Sequence, residues 1–132
     1  MSRFIIILSM VLILVSCKTQ KSIYSVVLTS DIKDKIGTPY STVNNSGNEY
    51  VLAWNEDNST GTTVVHFGVW EINTGDEIYQ GTAIKGKVEW LNETALYLED
   101  YKGIVENGVQ IFKYKIDLLT KKKTTLHGKV DL

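Results

Sequence analysis

Between Gln110 and Leu118 the residues Phe112, Tyr114, Ile116 and Leu118 fall on one parity, and Lys113, Lys115 and Asp117 on the other. A period of two places successive side chains on opposite faces of an extended chain, so this stretch predicts a strand with an apolar face toward a core and a charged face toward water. Tyr50, Leu52 and Trp54 repeat the pattern within Asn48 to Asn55. Residues 62–72 are β-branched and apolar on both parities, as a central strand covered on both sides would be. From Ile23 onward no segment carries a convincing helical period, and short apolar runs are bounded by Gly, Asn, Asp and Thr.

Turn chemistry divides these runs. Asn73-Thr74-Gly75-Asp76 supplies a residue able to adopt positive φ, and Glu106-Asn107-Gly108 carries the Asn-Gly pair favoured in hairpins. Lys85-Gly86-Lys87 and Leu91-Asn92-Glu93-Thr94 read as further reversals. The expectation is an all-β fold: a single antiparallel meander domain of about 7–9 short strands, arranged as a sandwich, a partly open barrel, or two blade-like four-stranded sheets. Residues 31–47, which contain Pro39, read as one long irregular segment, either mobile or functional.

A weak internal repeat supports the blade-like alternative. "VLAWNED" at 51–57 leads to a strand through Phe67, and "KVEWLNETALYLED" at 87–100 leads to one through Phe112. The spacing is uneven, 36 residues between Trp54 and Trp90 against 45 between Phe67 and Phe112. The unit resembles the four-stranded blade of a β-propeller, although two blades cannot close a propeller ring. Such a likeness concerns fold and carries no activity.

The start of the chain has a different character. Arg3 precedes twelve uncharged residues, Phe4 to Val15, a length that suits a signal-peptide core and falls short of the ~20 residues needed to span a bilayer as a helix. Leu14-Val15-Ser16-Cys17 follows directly and resembles the lipobox of bacterial lipoproteins. That resemblance implies recognition of Leu14, Val15 and Ser16 by a type II signal peptidase, cleavage before Cys17, and lipidation of the Cys17 thiol and the new amine. Several acyl chains would give stable anchoring at about 0.8 kcal/mol per buried CH₂. Cys17 is the single cysteine of the chain, so no internal disulfide can form. The expected organisation is a signal peptide at 1–16, a lipidated tether at 17–22 and an all-β domain at 23–132. Lys18 stands where an Asp often marks retention in the inner membrane, and the tether lacks an acidic export cluster. The expected location is the bacterial outer membrane, facing the periplasm.

Little in the sequence points to catalysis. Loss of the leader leaves 13 basic and 15 acidic side chains, a balance that gives no cue for nucleic acid. His66 and His127 are far apart and show no metal-ligand spacing. There is no G-x-S-x-G and no Gly-rich phosphate loop. Asp76-Glu77 and Glu99-Asp100 are adjacent carboxylates, which a strand sends to opposite faces, so they read as solvated strand ends. Lys121-Lys122-Lys123 reads as a solvated edge, or as a contact for anionic lipid or glycan. Asn44, Asn58 and Asn92 satisfy a glycosylation sequon that ordinarily means nothing in a bacterium. Trp54, Trp70 and Trp90 could form a platform on which sugars stack, or serve as core.

The first expectation is therefore a non-catalytic, lipid-anchored envelope protein that binds a protein partner, with no cofactor and no metal. The alternative is a carbohydrate-binding module using exposed tryptophans. An unrecognised hydrolase stands third.

Overall fold

The computed structural model describes residues 26–105 and 108–126. Leu14, Val15, Ser16, Cys17, the tether and His127 lie outside the described residues, as does Asn107 of the expected Asn-Gly turn.

Eight strands follow in order: β1 (Ser41–Asn44), β2 (Tyr50–Asp57), β3 (Val64–Glu71), β4 (Glu77–Ile84), β5 (Lys87–Asn92), β6 (Ala95–Val105), β7 (Gly108–Asp117) and β8 (Lys122–Thr125). They form two four-stranded antiparallel meanders, β1-β2-β3-β4 and β5-β6-β7-β8. The all-β expectation holds in its two-sheet form, with the sheets packed face to face and not rolled into a closed barrel. One cluster fills the space between them: Leu52, Val65, Phe67, Val69 and Ala83 from the first sheet meet Val88, Leu96, Leu98, Ile116 and Leu118 from the second. The alternation seen around β7 is realised here, since Ile116 is fully buried while Tyr114 packs at the cluster margin and stacks on Phe112 at 6.4 Å. Phe67 lies over Gly81 of β4, where a β-carbon would come within 2.8 Å of the ring. Opposite Val69 and Trp70, β4 carries a bulge that lets both Ile78 and Tyr79 reach the core.

One element departs from expectation. Residues 26–36 are helical (α1) and pack on the outer face of the first sheet, where Ile32 and Ile36 form a second buried cluster with Val51, Ala53 and Trp70. Leu28, Ile32 and Ile36 are spaced four apart and make one narrow stripe, short enough to be missed beside the exposed Val26 and Val27. The helix ends at Gly37, whose N–H returns to the Lys33 carbonyl at 3.0 Å with φ at +89°. The 31–47 segment is thus not one irregular loop: it comprises the end of α1, a bend at 38–39, β1 and a turn. Because α1 covers one face and the second sheet the other, β3 is buried on both sides, as its composition required. Trp70 and Phe67 are the two large aromatics it sends to those opposite faces.

The outer face of the second sheet is covered by no helix among the described residues. There the register aligns Lys87 with Glu99 and Lys113, and Glu89 with Tyr97 and Lys115, so opposite charges sit beside one another across the strands.

Strand order also corrects the repeat. Phe67 and Phe112 occupy the third strand of each sheet, but Trp54 is in a second strand and Trp90 in a first. The uneven spacing in the sequence reflects this mismatch.

Polar ties fix one sheet on the other. Asn45, only 2 % exposed, donates to the Glu93 carbonyl at 2.9 Å and accepts from the Glu49 and Tyr50 N–H groups at 2.9 and 3.1 Å. Glu93 in turn accepts from the Gly47 N–H at 3.0 Å. The Ile84 N–H donates to the buried Asp100 carboxylate at 2.9 Å, and the Trp90 indole to the Val43 carbonyl at 3.1 Å. At the crossing between sheets a β-carbon on Gly86 would overlap the Glu99 carbonyl.

Candidate binding cleft

β2 outruns β1. Its partner strand reaches only Trp54, opposite Ser41, while β2 continues to Asp57 against β3. The chain entering β1 leaves the sheet through Tyr40, Pro39 and Thr38, and the end of α1 is tied to β2 by Asn55, whose amide donates to the Ile36 carbonyl at 3.2 Å. Two adjoining open clefts result. One, of about 470 Å³, lies among Lys35, Thr38, Pro39, Asn55, Asp57 and His66. The other, of about 320 Å³, lies among Pro39, Tyr40, Ser41, Trp54, Asn55 and Glu56.

Register explains the polar wall. Asn55, His66 and Thr82 are directly opposed on β2, β3 and β4, on the face that α1 covers further along. Asp57 accepts from the Ser59 N–H at 2.8 Å, a bond that, with one from the Ser59 hydroxyl, holds its carboxyl below the usual range. Lys35 is committed elsewhere, its ammonium 3.3 Å from Glu77. Half-buried Trp54 and Tyr40 supply the apolar wall, Trp54 resting its other side on the core. Such a cleft can hold a ligand by ring contact and hydrogen bonding.

No protein-family model matches the chain, and neither a curated protein nor a solved structure matches it.

The residues singled out from the sequence are dispersed. Trp70 has no exposed surface, and its indole donates to Asp31 Oδ2 at 2.7 Å, so it offers no ring face to a sugar. Trp90 is half-buried at the edge between sheets, and Trp54 lines the smaller cleft. Glu99 and Asp100 face opposite sides of β6: Glu99 accepts from the Tyr97 hydroxyl at 2.7 Å and Asp100 takes the Ile84 N–H. Glu77 pairs with Lys35, away from Asp76, whose carbonyl accepts the Glu71 N–H. Lys121 turns the chain at φ +57°, and Lys122 and Lys123 lie on exposed β8, with Lys123 4.1 Å from the Tyr114 ring. Asn44 and Asn92 make local turn bonds to Asn48 and Thr94. No group of three or more metal-ligating side chains occurs among the described residues.

Sequence reasoning did not assemble Tyr40, Asn55, Glu56, Asp57 and His66 into one place. The one local signal was "NED" at 55–57, which ends an apolar alternation in three polar residues on a strand that keeps going.

Proposed function

We propose that this chain is a non-catalytic, lipid-anchored binding module of the bacterial envelope that holds a protein partner at the membrane. Cys17 carries the anchor, and the body faces the periplasm from the outer membrane. The observation that carries the reading is the paired cleft beside the β2 overhang: its walls present aromatic surface, amides and carboxylates on a strand that the core holds rigid. A photo-cross-linking residue in place of Thr38, in cells expressing the full chain, tests it. Capture of one defined protein from this position, with none from the same probe at Lys122 on β8, is the expected result. Equal labelling at both positions, or none at Thr38, rejects the reading. The anchor has its own test, because Cys17→Ser should abolish fatty-acid labelling, and continued labelling would defeat it.

Carbohydrate is the second reading, favoured specifically by Trp54 and Tyr40 lining the smaller cleft. A glycan that shifts indole emission in the natural chain and not in Trp54→Phe would establish it in place of the first.

A further inference from the structure

The main chain of β2 has a direction that can be read from its hydrogen bonds. The Tyr50 carbonyl accepts from the Asn45 N–H at 2.9 Å, and the Tyr50 N–H donates to Asn45 Oδ1 at 3.1 Å, so Tyr50 turns its main-chain groups toward β1. Glu49, one residue earlier, instead accepts from the Ile72 N–H beyond β3. Alternation then directs Leu52, Trp54 and Glu56 to the β1 side and Ala53, Asn55 and Asp57 to β3. The β1–β2 register ends with Ser41 opposite Trp54. Two residues on, where a partner of Glu56 would stand, the chain carries Pro39, which has no N–H to give and has left the sheet. Among the described residues no protein group bonds the Glu56 N–H or C=O, and both lie where the two clefts meet.

We infer that this open edge at Glu56 receives an extended polypeptide segment bearing lysine or arginine, which adds to the first sheet in line with β1. The inference rests on the protein-binding reading above and names its site and the chemistry of its partner. An extended segment is the ligand whose paired donor and acceptor match those of a strand residue. Charge selects its side chains. Glu56 makes no ion pair among the described residues, and Asp57, on the other face of β2, lines the same cleft, whereas the ammonium of Lys35 is 3.3 Å from Glu77. Trp54 and Tyr40 flank the path and can take the methylene stems, or the charged head, of such a residue.

The test uses the ¹⁵N-labelled full chain in detergent micelles and a pooled library of capped hexapeptides with lysine or arginine at alternate positions. The pool should shift the Glu56 amide resonance and slow its exchange with solvent. N-methylation of the peptides at alternate amides should weaken binding by about tenfold. Glu56→Pro, which removes the open-side donor and leaves the β3 ladder to Asn55 and Asp57, should do the same. Glu56→Gln keeps the main chain intact and should lose about two- to fivefold. Equal binding by the N-methylated pool, or shifts that bypass Glu56, overturns the proposal even where the Thr38 probe captures a protein. Binding of the pool at Glu56 with no protein captured at Thr38 upholds the edge and rejects the partner reading.

Discussion

The indole N–H of Trp70 donates to Asp31 Oδ2 at 2.7 Å, joining the end of β3 to α1. Trp70 is wholly buried and needs a partner for that proton. Asp31→Ala leaves the donor stranded against an apolar helix and is expected to cost about 1–3 kcal/mol in urea unfolding. Asp31→Asn, which keeps an acceptor, should cost less. Equal stabilities for both would show that the bond does not hold the helix.

Asn45 serves three main-chain groups at once, the Glu49 and Tyr50 N–H groups and the Glu93 carbonyl. Asn45→Ala removes the partner of all three and should destabilise by at least about 2 kcal/mol. Amide exchange at Glu49 and Tyr50 should accelerate, which a merely global loss of stability would not single out. A change below half a kilocalorie would mean that water replaces the side chain without loss.

Gly86 is fixed by space and not by φ, for its neighbour Lys85 carries the positive φ of 48° in this turn. Gly86→Ala should therefore force the crossing away from the Glu99 carbonyl and destabilise by about 1–3 kcal/mol. Lys85→Gly should be neutral or slightly stabilising, because it relieves a left-handed conformation. The opposite ranking in thermal unfolding would refute this account of the turn.

Burial, then the bond to Glu99 and the charges of Glu99 and Glu89, push the Tyr97 hydroxyl up to about 12 from an ordinary value of 10.0. Raising the folded value stabilises the protonated native state, so the contribution is full below pH 10 and is lost as pH climbs from 10 toward 12. Stability should fall by as much as ~1.4 kcal/mol per pH unit across that window. Tyr97→Phe should flatten the decline, and ultraviolet titration should show Tyr97, together with the half-buried Tyr79, whose hydroxyl burial also pushes up, ionising after the exposed tyrosines. An unchanged slope in the variant would assign the alkaline loss to another group.

Acrylamide should reach Trp54 and not Trp70, given that one lines an open cleft and the other has no accessible surface. Trp54→Phe should accordingly lower the quenchable emission and leave a share from half-buried Trp90. Quenching that persists in a Trp54→Phe, Trp90→Phe variant would place Trp70 in the solvent.

Parity carried much of the fold. β7 and β3 were legible because their side chains answer directly to one covered face or two. α1 was not legible, since its stripe of Leu28, Ile32 and Ile36 is narrow and Asp31, which a sequence assigns to solvent, turns to the Trp70 indole instead. The cleft was still less so. Asn55 and His66 become neighbours only through the β2–β3 register, and the overhang at Glu56 exists only because β1 stops short. Neither relation has a local signature beyond the polar run at 55–57 and Pro39.

A stack of blade-like sheets ordinarily invites another copy of itself, since each added sheet must lay an apolar face on the last. Here α1 occupies the outside of the first sheet and the Lys87, Glu99 and Lys113 row occupies the outside of the second. Among the described residues the two-sheet stack is closed by a helix on one outer face and by alternating charge on the other. Two sheets finished in this way offer no open apolar face on which further copies could stack.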